Sequence, residues 1–287
     1  MESLRAMLAL DFMRWAFLAG TALSLLAGLV GYLVVARRLV FTGDFLSHVA
    51  FPGALGAILL GLNPLLGVFG LSAAVALGLG ALGERARTND VTTGTLLAWV
   101  FGIGALLLSL YTSGASGGDS TVGVNVLFGS IFGLQARQAT LLALVAVAVV
   151  LVLLAIARPL LFASLDPDVA AARGMPVRLL NAVFLILLAV TVAEAVQAVG
   201  ALLIVALLIT PAAIARRITA RPYRAWILSG LLAVVITWAG LLLAYHLPYP
   251  VSFFITGLAF AAYVFVVLGQ WLAGLRVTAQ RAPGIAR

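Results

Sequence analysis

The chain has 287 residues, of which 64% are hydrophobic and 9% charged, a balance that excludes a soluble domain of this length and leaves a polytopic helical membrane protein. Its apolar runs are long and continuous, which excludes the short alternating segments of a β-barrel. The net charge of +8 comes from seventeen arginines that mostly sit between apolar runs, as in cytoplasmic membrane loops, so nucleic-acid binding is not expected. Without cysteine there are no disulfides and no thiolate metal ligands. Without lysine there is no GxxxxGK[ST] phosphate loop in this sequence, so an ATP-driven step needs another polypeptide.

In chain order, residues 1–13 form a mixed-charge lead with Glu2, Arg5 and Asp11, expected as an interfacial helix. The first apolar run is long and lacks an A-x-A cleavage site, so it reads as a span over 14–36 that ends at Arg37-Arg38. A second span, 40–61, carries Asp44 and His48 near its start. Its Pro52-Gly53 pair is expected to loosen the helix and free carbonyls to line a cavity. A third span covers 64–83, a charged loop 84–90 and a fourth span 92–111. The Gly/Ser-rich loop 112–120 has no basic residue and reads as outward-facing. Residues 122–134 are too short to span and read as re-entrant or interfacial. A fifth span is placed at 139–157.

Residues 158–178 are the longest polar interlude of the interior. Asp166-Pro167-Asp168 has helix-start chemistry and Gly174 supplies a stop, so a short cytoplasmic helix along the membrane is expected there. The run 179–215 reads as two spans joined by a tight external turn near Glu194, Gln197 and Gly200. The second ends at Pro211 and the cluster Arg216, Arg217, Arg221 and Arg224. Spans at 225–246 and 251–272 and a cytoplasmic tail, 273–287, complete the chain. The expectation is an all-α membrane protein of one domain, 1–287, with about nine spans, the N-terminus outside and the C-terminus inside. Eight remain possible if one run is re-entrant. Arg5, Arg14 and Arg137 fall on the outer side against the charge rule.

Asp44 and His48 are four residues apart and share one helix face. An oxygen and a nitrogen presented together suit a divalent ion, and ionisable groups at membrane depth mark ion paths. The alternative is a helix cap with a satisfied histidine behind it. Glu194 is either a second intramembrane acid, in the path or at a proton site, or a solvated residue of the external turn. His246 reads as a surface histidine. Asp166, Asp168 and Arg173 are most simply capping and loop residues.

Several stretches, in order and over nearly the whole chain, resemble the ABC-3 family of metal permease subunits. They are Arg37-Arg38-Leu39 leading into Gly43-Asp44-Phe45-Leu46-Ser47-His48, then Leu127-Phe128-Gly129 and Leu165-Asp166-Pro167-Asp168 with Arg173-Gly174. Val199-Gly200-Ala201-Leu202-Leu203 and Leu208-Ile209-Thr210-Pro211-Ala212-Ala213-Ile214-Ala215-Arg216 follow. The resemblance implies a homodimer in a bacterial-type cytoplasmic membrane, working with two cytoplasmic ABC ATPase subunits and an external solute-binding protein. It implies a fold similar to the vitamin B12 and siderophore permeases, with fewer spans. It also implies a metal path at Asp44 and His48, and coupling to the ATPase through 158–178, with Asp166, Asp168 and Arg173. It implies no permanently held cofactor and a transported divalent ion that is zinc, manganese or iron. Ser130 departs from the acid that some zinc-type members carry after Leu-Phe-Gly. The alternatives are an ABC permease for a metal chelate or vitamin, and a proton-coupled secondary transporter using Glu194 and His48.

Overall fold

A computed structural model describes residues 10–81, 90–113, 129 and 131–280. The expectations for the N-terminal lead, the charged loop at 84–89, the Gly/Ser-rich loop beyond 113 and most of 122–134 lie outside those residues, as does the end of the tail. The described residues form helices and no strand: α1 (Asp11–Ala36), α2 (Val40–Leu59), α3 (Pro64–Ala81), α4 (Asp90–Ser113), α5 (Ala136–Ala155), α6 (Ala157–Leu165), α7 (Pro167–Ala172), α8 (Val177–Val199), α9 (Ala201–Ile218), α10 (Pro222–His246) and α11 (Val251–Gln280). A single 3-10 turn, Ile131–Gly133, precedes α5. Seven of the helices are long and apolar enough to cross a membrane: α1, α3, α4, α5, α8, α10 and α11. The helix α2, which carries Asp44, His48 and Pro52 in its twenty residues, is not among them.

The most buried of the seven is α1, which packs against α5, α8, α9 and α10. In lipid there is no hydrophobic gain from bringing helices together, so close approach and interhelical hydrogen bonds decide which faces meet. Both are present on α1. A Cβ on Gly31 would overlap the Leu208 carbonyl of α9, and one on Gly28 would lie 2.6 Å from the Ser229 carbonyl oxygen of α10. Ser229 Oγ donates to the Gly28 carbonyl at 2.7 Å and Trp226 Nε1 donates to the Leu29 carbonyl at 2.9 Å. A second glycine contact joins α2 to α3, where Gly53 and Gly67 meet backbone to backbone. The other faces of α2 lie against α4, α8 and α9.

Three local expectations need correction. Pro52 does not interrupt α2, and Pro211 does not end α9; both helices run through their proline. A helix with a packed face on each side of the proline tolerates one missing hydrogen bond. The polar interlude is also largely helical, since α6 starts directly after α5, with Ile156 serving as the cap of both. Within it the Asp166 expectation holds. Asp166 caps α7 by accepting from the Val169 N–H at 3.0 Å, Pro167 is the first helical residue and Gly174 sits at φ +77°. The break in the long run after 177 falls at Gly200, φ +85°, so Glu194 lies inside α8 rather than in the turn.

Candidate functional site

The chain turns from α1 into α2 through a tight corner. Leu39 N–H donates to the Val34 carbonyl at 2.9 Å and Arg38 N–H to the Val35 carbonyl at 3.3 Å, the pairing of a Schellman motif. The left-handed position of that motif usually holds glycine. Here it is Arg38, at φ +58°, which costs roughly 1–2 kcal/mol of backbone strain. Six residues later α2 presents Asp44.

Asp44 does not cap this helix: the N-cap is Leu39, and no side-chain cap bond forms there. Asp44 and His48 instead stand on the one face of α2 that is not packed away. Its neighbours Thr42, Gly43, Phe45, Leu46, Ser47 and Val49 are buried, while Phe41, Asp44, His48 and Phe51 are exposed or partly so, at the spacing of a single helical stripe. Asp44 Oδ1 lies 3.6 Å from His48 Nε2, with the side chains 33% and 15% exposed. The imidazole leans on the Phe101 ring of α4, with centroids 4.7 Å apart. Gly43 lets α2 sit close to α9, since a Cβ there would be 3.1 Å from the Leu208 side chain. One rim of the pair is therefore aromatic and the other open. No group of three or more His, Cys, Asp or Glu converges among the described residues, so the described part of the chain brings this pair together and no third such ligand.

The structure does not bring Glu194 to this pair. It is fully buried in α8, and neither carboxylate oxygen has a hydrogen-bond partner; the same holds for Gln197 Nε2 one turn on. The starts of α2 and α8 lie on the same side, because Arg37 and Asn181 bond each other at 2.7 Å. Counting along the two helices from that bond puts Glu194 about 13 Å deeper than Asp44, at 1.5 Å per residue. The solvated reading of Glu194 is thus replaced by a buried one. Gln197 lines a cavity of about 470 Å³ together with Asn63, Gln138 and apolar residues of α3 and α5. His246, as expected, is exposed, and its Nδ1 lies 2.9 Å from the Leu242 carbonyl of its own helix.

On the other side of the molecule, Asp168 and Arg173 are exposed on the short helix α7, and Arg173 stacks 5.4 Å over the Phe162 ring of α6. Leu165 and Val169 are also open there, at 57% and 41%. Two arginines hold structure that their loop positions did not signal. Arg217 donates to Tyr263 Oη at 3.2 Å and Gln270 returns a bond to the Arg217 carbonyl at 2.8 Å, which ties α9 to α11. Arg37 is engaged with α6 and α8 through its whole guanidinium. In sequence both look like topology markers, because a guanidinium that bonds helices and one that faces water leave the same trace.

The sequence matches the ABC 3 transport family over residues 9–270. The chain belongs to that family. Its relatives include the manganese transport system membrane protein MntC of Listeria monocytogenes, 28% identical over 84% of this chain and 85% of that protein. The manganese import system permease protein ScaB of Streptococcus parasanguinis is 31% identical over 82% of each. A solved structure of PsaBC from Streptococcus pneumoniae in complex with Fab matches with a TM-score of 0.79 and 27% identity, over 92% of this chain and 94% of that one. This ABC-3 chain is accordingly a multi-pass membrane transport subunit. The proton-coupled secondary transporter drops out with that membership.

Proposed function

We propose that this ABC-3 chain is the permease of a manganese importer and that Asp44 and His48 receive the ion on its way through the membrane. The observation that carries the reading is the placement of a carboxylate and an imidazole on the single open face of an otherwise packed helix. Such groups are too costly to leave against lipid, so that face calls for a cover. A second copy is the occupant that makes chemical sense: across a two-fold axis the pair becomes two oxygens and two nitrogens. Neutral imidazole and carboxylate suit manganese and zinc alike, and the names of the relatives favour manganese. Two ligands per chain make a weak site, which a transport path needs if the ion is to leave.

In this reading the partners are two cytoplasmic ABC ATPases, which would dock on α6 and α7 with Asp166, Asp168 and Arg173, and an external binding protein that delivers the ion. The two remaining helices of spanning length, α2 and α9, bring the count to nine. The fold would then be a shorter relation of the vitamin B12 and siderophore permeases. Glu194 is a second polar station nearer the outer side.

The test is uptake into proteoliposomes with and without the ATPase and binding protein, comparing Mn²⁺, Zn²⁺ and Fe²⁺. Manganese uptake that needs both partners and ATP is expected. Asp44→Asn and His48→Ala should each lower it by at least about tenfold while the assembly still forms. Wild-type uptake by both variants would remove the pair from the path.

A further inference from the structure

The guanidinium of Arg37 is held by two separate helices at the end where α1 stops. Nε donates to Ser164 Oγ of α6 at 2.7 Å, Nη1 to Asn181 Oδ1 of α8 at 2.7 Å, and Nη2 reaches the Leu160 carbonyl of α6 at 3.4 Å. Ser164 gives its own proton to that same carbonyl, which leaves its oxygen free to accept from Arg37. Its Cζ lies over the Phe184 ring of α8, 4.6 Å from the ring centroid. A planar fork with five donors and an aromatic-stacking face fits this nest; a lysine ammonium offers one point and no plane.

The position of this residue matters more than its bonds. Arg37 is the C-cap of α1, and the next residue is the left-handed Arg38 at which the chain turns into α2. On the opposite side Arg216 of α9 donates to the Val35 carbonyl at 3.2 Å, so the same helix end is held from two directions. Meanwhile α6 runs through Asp166 straight into the exposed α7. A displacement of α6 and α7 therefore reaches the α1–α2 corner through the Arg37 fork, and α2 begins there.

We infer that Arg37 is a positioning residue for transport: it joins α6, and through it the exposed α7, to the corner that aims Asp44 and His48. This rests on the importer reading above, in which α6 and α7 face the ATPase. A residue that only stabilises the fold would lower transport and ATP hydrolysis together. A linking residue lowers the number of ions moved per ATP.

The experiment measures uptake and ATP hydrolysis in the same proteoliposomes, holding the permease, the ATPase and the binding protein, with whichever ion the wild type carries. Arg37→Gln is expected to keep ATP hydrolysis near the wild-type rate and to cut ions per ATP about tenfold, within the usual span of coupling effects. Arg37→Lys should recover part of the ratio. The double variant Ser164→Ala, Asn181→Ala keeps the arginine and removes two acceptors, so it carries the test if Arg37→Gln does not assemble; a reduced ratio is expected again. A wild-type ratio in the variants that assemble, with or without a parallel loss of both rates, would overturn the inference. Failure of the wild type to use ATP at all would instead overturn the importer reading.

Discussion

Gly53→Ala is the sharpest perturbation the fold offers near the site. A Cβ at Gly53 would stand 2.6 Å from the Gly67 carbonyl oxygen, where ordinary contact begins at 3.4 Å, so α2 and α3 must part by about 0.8 Å. The obstacle is backbone and has no rotamer to yield. Overpacking of this kind costs about 1–3 kcal/mol, and alanine's better helix propensity returns up to about 1 kcal/mol. The expected net loss is about 1–2 kcal/mol. Gly70, one turn after Gly67 on α3, provides the control, since a Cβ there meets nothing within 4 Å. Gly70→Ala should be neutral or slightly stabilising. Thermal unfolding of both variants in detergent, read by intrinsic fluorescence, measures the difference. Uptake in proteoliposomes should fall for Gly53→Ala alone, because Asp44 and His48 ride on the displaced helix. Equal melting of the two variants, or a Gly53→Ala protein as stable as the wild type, would refute the packing argument.

Two further outcomes follow from local geometry. Arg38→Gly should raise the melting temperature by a few degrees, since relief of about 1–2 kcal/mol at φ +58° outweighs the extra flexibility of glycine. Arg38→Ala, which keeps the strain, should not; equal shifts in the two would show that strain is not the cause. Glu194→Gln should leave stability unchanged or raise it by about 1 kcal/mol, as the buried carboxyl has no partner to lose, while ion uptake falls. Uptake at the wild-type level in a protein that melts normally would take Glu194 out of the path.

How much of this was legible depended on whether the cause was local. The capped helix after Asp166 and the break at Gly200 follow from neighbouring residues, and the structure has both. So does the pairing of Asp44 with His48, which needs only helical periodicity. The burial of Glu194 was not legible, because nothing in its own stretch distinguishes a helix interior from a helix end. Nor were the glycine contacts, whose partners lie on other helices. In a membrane the lipid-facing side is as apolar as the core, so no polar stripe marks which side of a helix is packed. The interhelical bonds of Arg37 were hidden for a related reason: its acceptors, Ser164 and Asn181, are 127 and 144 residues away.

The central position of α1 also has a consequence for how the protein is made. This helix leaves the ribosome before its partners α9 and α10, and Ser229, which bonds to Gly28, follows 201 residues later. At about 5–20 residues per second the wait is about 10–40 s. During that interval the face destined for α9 and α10 is bare in the bilayer. It can remain there safely because it is mostly apolar, its backbone groups are satisfied within the helix, and its Thr21 hydroxyl donates to the Phe17 carbonyl of the same helix. The indole and hydroxyl donors arrive on the later partner, α10. The order of synthesis thus places the inert surface first and the adhesive one last, which guards the nascent chain against premature association.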